Sequence, residues 1–403
     1  MEKKRLKMLV VDIWAEQGTN LHRYAAGLAA GASEYADVTV AVPYSFVRPE
    51  GHRYRVIHTF FPFSSKISGE GFVRRVIRGV EYVTGYLRIA HIAKREGFDV
   101  VQVEWPLRYR LDAKLYRHLK KGCRLFVYKA HNVLPHSSGD RFIEDMRVIY
   151  GIADKILIHG RSVIEREFVD LFPEYKDKLI VQRHGINEPR DLSFDEGSID
   201  PDMVSRIHAA HENGGKVYFI VGDIHEDKGI DRLIRVWLDT FSKSSSVLIV
   251  RGRQLGSYPD LEALEPRIKE SENIIFRRGY VYNNEVNYLM TECDLVVLPY
   301  RKAYMSGVVF TCVEFGRAFL ATNWGVVAEY TDNGKDSFIV ENSEEAFRDK
   351  LLDIDRNESR EHLAEMGASL KEHYEREYNW KKIEHDVIGQ YEKCLQEMGR
   401  RDH

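Results

Sequence analysis

The sequence predicts an α/β protein built from two domains, with mostly parallel, doubly wound sheet. Three observations carry this. At 403 residues the chain is too long for one comfortable core. Short apolar runs alternate with segments of helical period in both halves, the rhythm of parallel strands joined by crossover helices. Between the halves lies RHGINEPRDLSFDEGSIDP, Arg183 to Pro201, a polar stretch with Gly and Pro that reads as a linker. The expected domains are therefore residues 1–190 and residues 202–380.

In the first half, LKMLVVDI (6–13) reads as a buried strand, followed by the loop WAEQGTN and a helix from Leu21 to Tyr35 with Asn20 as its N-cap. The turn Gln17-Gly18-Thr19-Asn20 aims backbone donors in front of the sheet. Further strands are expected at DVTVAVP, YRVIHTF, DVVQVEW, RLFVYKAHN, KILIHG and LIVQRHG. His131 falls at the carboxyl end of one of them, where α/β proteins bind ligands, or where a histidine simply bonds nearby backbone. Residues 70–96 combine Arg74, Arg75, Arg78, Arg88, Lys94 and Arg95 with Phe72, Val73, Val76, Ile77 and Val80. That pattern suits an interfacial helix on anionic lipid, and equally a packing helix with a solvated basic face.

The second half opens with KVYFIVGDIHEDKGIDRLIRVWLDTF. Its strand ends at Gly222, a polar loop carries Lys228, and an amphipathic helix follows. A lysine at a helix start does nothing for the helix dipole, so it suits a bound phosphate better. Strands SVLIVRG and NIIFRRG and the helix NEVNYLMTE lead to LVVLPYRKAYMSGVVFTCVEFGRAFLATNWGVVAEY (295–330). There a strand breaks at Pro299, a Ser306-Gly307-Val308 turn opens a short buried helix, Gly316 ends it, and FLATN returns as a strand. Strand, small-residue turn and helix start together present backbone amides to an anion.

Composition narrows the function classes. With 44% hydrophobic and 30% charged residues the chain is ordinary for a globular protein, and no apolar run approaches bilayer length. MEKKRLKMLVVDIW continues as a strand and is not read as a signal peptide. Cys123, Cys293, Cys312 and Cys394 are scattered, which fits a reducing cytoplasm and argues against structural zinc. Residues 1–190 carry 32 Lys and Arg against 22 Asp and Glu, while the remainder carries 27 against 40. The basic half is expected to meet an anionic membrane surface or a phosphate-bearing acceptor. Nucleic acid is not expected, because no stacking aromatics interleave with the basic residues.

Taken in order, the Gly18 turn, HN at His131, HGIN at 184–187, VGDIHEDKGIDRLI, FRRGYV, LVVLPYRKAYMSGVV and FGRAFLATNWGVVAE resemble the retaining glycosyltransferases of family 4, which have the GT-B fold. A final helix containing Trp380 matches the family's usual ending. The resemblance spans nearly the whole chain and implies two Rossmann-like domains facing across a cleft, with residues 381–403 crossing back to the first. It implies a nucleotide-sugar donor on the second domain, a glycan or lipid-linked acceptor on the first, and no essential metal or cofactor. Lys228 matches the lysine on the donor phosphates, and Ser306, Gly307 and Val308 match the turn holding the distal phosphate. Tyr280 and Val281 fall where the base lies. His131 matches the histidine beside the transferred sugar. Gly18 and Thr19 match the turn approaching the donor from the opposite domain. Gly222, Arg301, Thr311 and Glu314 complete the implied donor contacts.

Two departures stand out. Asp223 follows Gly222 where the family has arginine, which leaves Arg301, Lys302 and Arg253 as candidate replacements. The family's glutamate pair aligns with Ala303 and Thr311, neither acidic, with Glu314 the nearest carboxylate. A GT-B protein without catalysis, or a nucleotide-sugar epimerase on the same fold, competes with the transferase reading.

Overall fold

The structure is a computed structural model and describes residues 5–69, 71–135 and 139–401. It separates into two compact units, residues 1–188 with 377–403, and residues 189–376. Glu70, the first residue of the expected interfacial helix, lies outside the described residues, as do the last two of the chain.

Among the described residues the first unit holds seven parallel strands: β1 (Leu6–Val11), β2 (Ala36–Pro43), β3 (Arg55–Phe60), β4 (Phe98–Val103), β5 (Cys123–Lys129), β6 (Lys155–Ile158) and β7 (Leu179–Val181). Their spatial order is β3-β2-β1-β4-β5-β6-β7. Helices cover the sheet, so its central strands are buried along most of their length and read as continuous apolar runs: Met8, Leu9, Val10 and Val11 are all buried. The order reverses between β1 and β4, and the crevice for a ligand opens at such a reversal, beyond the carboxyl ends of the strands.

Local chemistry sharpens two expectations. β1 stops at Val11 because Asp12 turns the chain, its Oδ1 accepting from Trp14 N at 2.9 Å. The first helix, Asn20–Ser33, is capped by Thr19 and not by Asn20: Thr19 has extended backbone, and its Oγ1 accepts from His22 N at 3.1 Å. The last helix, Trp380–Arg401, packs on that first helix within the same unit. Trp380 fits there because Gly27, Gly31 and Gly185 leave it room; a Cβ on any of the three would strike it. Gly185 and its neighbours are therefore not loose linker, and Ile186 N donates to Tyr378 O at 2.9 Å.

The second unit holds six parallel strands: β8 (Val217–Val221), β9 (Val247–Gly252), β10 (Ile274–Arg278), β11 (Leu295–Leu298), β12 (Phe319–Thr322) and β13 (Phe338–Val340). The order is β10-β9-β8-β11-β12-β13, with its reversal between β8 and β11. Strand β13 was not expected from the sequence; at three residues it is too short to show a pattern. Residues from Pro189 onward belong to this unit, where Arg190 Nη1 donates to Asn287 Oδ1 at 2.6 Å.

Candidate functional site

The donor-side candidates gather at the β8/β11 reversal. Lys228 sits in the tight turn Glu226–Lys228, one residue before Gly229 and the helix Ile230–Thr240, rather than at the helix start itself. Gly229 is required twice over: its φ is +62°, and a Cβ there would strike Pro299 O at the end of β11. This packing brings the Lys228 loop against the β11 loop. Lys228 Nζ lies 3.8 Å from the centroid of the Tyr300 ring, and Tyr300 OH is 3.3 Å from Ser306 Oγ. No carboxylate pairs with Lys228 among the described residues.

Ser306 is buried and caps the helix Gly307–Phe315, its Oγ accepting from Val308 N at 3.4 Å. Val309 N donates to Ser306 O at 3.2 Å, so the first turn already bonds two of its own amides, and what it offers an anion is the positive end of the helix dipole. Gly316 closes the helix in the left-handed region, φ +59°, as the sequence suggested. A lysine without a counter-ion, joined through Tyr300 to a helix N-terminus, makes an anion site of two independent parts.

Other donor-side candidates have bonding partners within the unit. Arg301 is held by partners within the protein. Its Nη1 and Nη2 each donate to Asp231 at 2.7 Å, and Nη1 also bonds Glu226 O at 2.9 Å and Tyr258 OH at 3.1 Å. Burial works to raise the Asp231 carboxyl, yet the hydrogen bonds from Arg301 and Tyr258 hold it at about 2. Arg301 thus braces the Lys228 turn. Glu314 accepts from Arg190 Nε at 3.2 Å and so anchors the start of the unit instead of standing free for a ribose. Thr311 Oγ1 bonds back to Gly307 O at 3.3 Å, inside its own helix. Asp223, whose charge would repel a diphosphate, lies 3.5 Å from Arg253.

Gly222 (φ +133°) ends β8 on the same edge. Beyond β10, Gly279 leads to Tyr280 and Val281. Tyr280 and Tyr282 are 68% and 70% exposed and meet edge to face with ring centroids 5.0 Å apart.

In the first unit, Gly18 (φ +82°) turns in open space, and Thr19 is exposed, its hydroxyl donating to Glu16 O at 2.7 Å. His131 is only 8% exposed, and a cluster that sequence reasoning missed holds it. The indole of Trp105 stacks on it at 3.5 Å with 6° between the planes. His131 Nε2 lies 3.0 Å from Glu104 Oε2, and Nδ1 lies 3.2 Å from His159 Nε2. Burial would raise Glu104, but hydrogen bonds from His131 and Gln102, with Lys129 nearby, keep it below the usual carboxylate range. An ionised Glu104 only accepts, so the His131 proton sits on Nε2 and Nδ1 accepts from His159. Burial pushes His131 down to about 4 despite Glu104. At neutral pH the ring is uncharged with both nitrogens engaged.

The cluster continues downward. Lys129 is buried and donates to Gln182 O at 2.7 Å; burial brings its ammonium down to about 7. Gln182 Nε2 donates at 2.7 Å to Glu384 of the last helix, whose carboxyl burial pushes up to about 8. Asp12 is likewise pushed up to about 8, by burial first and by Glu104 second. Glu104 was visible in the sequence only as an acidic residue in an apolar strand end, VVQVEW, a signal that marks a partnered carboxylate without naming its partner.

With this geometry in hand, two comparisons define the class. Solved structures share the arrangement over nearly the whole chain: HepE from Anabaena in complex with UDP and glucose (TM-score 0.62, 14% identity, 96% of this chain and 100% of that one); sucrose-phosphate synthase from Thermosynechococcus elongatus (0.65, 12%, 97% and 100%); and a glycosyltransferase from Rickettsia africae (0.62, 14%, 98% and 99%). The chain therefore has the GT-B fold. Residues 215–357, the heart of the second unit, match the family model of the glycosyl transferases group 1. No curated protein matches the chain in sequence.

Proposed function

We propose that the protein is a retaining glycosyltransferase that moves a sugar from a nucleotide-diphospho-sugar to a glycan or lipid-linked acceptor. The observation that carries this is the unpaired Lys228 joined through Tyr300 to the capped N-terminus of Gly307–Phe315, at the strand reversal of a group 1 glycosyl transferase domain. A diphosphate leaving group needs cations and oriented amides where its charge grows, and these two elements offer both without calling on a metal. The exposed Tyr280 gives a nucleotide base a face to stack on. HepE from Anabaena, of the same fold, was solved with UDP and glucose.

Retention is supported by what His131 cannot do. With both ring nitrogens engaged and its proton affinity depressed, it is a poor general base. The acceptor proton then falls to the departing phosphate oxygen on the same face of the sugar. The C–O bond to phosphate breaks, the acceptor oxygen bonds the same anomeric carbon, and the acceptor proton ends on the diphosphate.

A catalytically silent binding protein is the second reading. Asp223 at a phosphate site and Glu314 tied to Arg190 speak for it. Incubation with UDP-, GDP- and ADP-sugars, with and without EDTA, decides. Turnover that survives EDTA, with product of the donor's anomeric configuration, is expected. Absence of both turnover and nucleotide binding at millimolar concentration contradicts the enzyme.

A further inference from the structure

The helix Phe72–Glu96 of the first unit turns an apolar face to the outside. It buries Tyr82, Tyr86, Ile89 and Ala93 on one side, so the opposite side should be polar. Instead Val73, Val76, Val80 and Leu87 recur there at three-, four- and seven-residue steps, from 47% exposed at Leu87 to 65% at Val73, with Phe72 at 74% beginning the stripe. Phe63, also exposed, is fixed beside the first turns: buried Glu81 accepts from Phe63 N at 2.7 Å, and Arg74 Nε donates to Ser64 O at 3.2 Å. Large apolar side chains on one outward stripe mark a contact surface.

Charge names the partner. Arg75, Arg88, Lys94 and Arg95 are exposed on this helix. Its two carboxylates are both taken, Glu81 by Ser64 and Glu96 by Arg55. A second copy of the same basic face would be repelled. We propose that this face docks on an anionic lipid surface, with the helix in the interfacial plane, Phe63, Phe72 and the valines inserted, and the arginines among the headgroups. Arg78 points the other way, its guanidinium 3.8 Å from the Phe61 ring centroid and 2.8 Å from Glu16, in the loop of the Gly18 turn.

The test is co-sedimentation of the full chain with vesicles of phosphatidylcholine, with and without phosphatidylglycerol. It reads partitioning rather than turnover, so its failure leaves the transferase reading intact. Binding is expected only with phosphatidylglycerol. The exposed pair Val76→Asp and Val80→Asp should cut it roughly tenfold or more at unchanged melting temperature, and Arg75→Ala with Arg88→Ala should weaken it in proportion to salt. No sedimentation with anionic vesicles, equal binding to neutral ones, or binding indifferent to the aspartates would each overturn the proposal. So would a dimer in solution that Val80→Asp abolishes.

Discussion

The candidate clusters of the two units are each built on a strand reversal but in opposite ways. In the first unit the ionisable groups are buried and bonded to one another, from Glu104 through His131 to His159, and from Lys129 through Gln182 to Glu384. In the second, Lys228 is half-buried and has no carboxylate partner among the described residues, while the arginine beside it is locked to Asp231. The difference teaches how to tell positioning from binding. A charge that the protein already satisfies holds shape, whereas a charge left unsatisfied next to a helix N-terminus is open to a ligand.

The largest effect should follow from touching the waiting charge. Lys228→Ala is expected to lower kcat/KM by roughly 10²–10³-fold, the usual cost of losing one group that meets developing charge, with little change in melting temperature. Steady-state kinetics beside a thermal melt checks both halves of that statement. Next comes the held histidine. Glu104→Gln keeps the shape but leaves His131 free to take the other tautomer and tilt, which should cost up to about 10²-fold in kcat with donor KM nearly unchanged. A fall confined to KM would contradict the positioning role.

The buried cluster also sets an acid limit. Burial holds His131 at about 4, below its unfolded value of 6.5, so as pH falls the unfolded chain takes the proton first. The stabilisation is complete above pH 6.5 and is lost as pH drops toward 4, at most roughly 3 kcal/mol from this one group. His131→Gln should flatten the decline in melting temperature over that window; an unchanged slope would say the ring is not buried neutral. The smallest expected effect is at the base: Tyr280→Ala should raise donor KM by a few-fold, in keeping with about 0.5–1.5 kcal/mol for a ring contact, and leave kcat alone.

How much of this was legible in sequence follows the range of the interactions. The strands were readable because a sheet covered on both faces needs unbroken apolar runs, as in LKMLVV and VLIVRG. Lys228 and Ser306-Gly307 were readable because turn and cap chemistry is local. Thr19 and Asn20, adjacent and both good caps, could not be ranked without backbone angles. The pairings Arg301–Asp231 and Arg190–Glu314 were hidden, since the partners lie 70 and 124 residues apart. Glu104 was hidden for the same reason, and with it the fact that His131 is held and uncharged.

Calorimetric titration of UDP, GDP and ADP into the wild-type chain and into Lys228→Ala tests the central claim most directly. One nucleotide should bind the wild type, and the substitution should weaken that binding by roughly tenfold or more, the worth of one charge-assisted phosphate contact. If none of the three binds, or the one that does binds both proteins equally, the anion site at Lys228 and Ser306 is not the donor site.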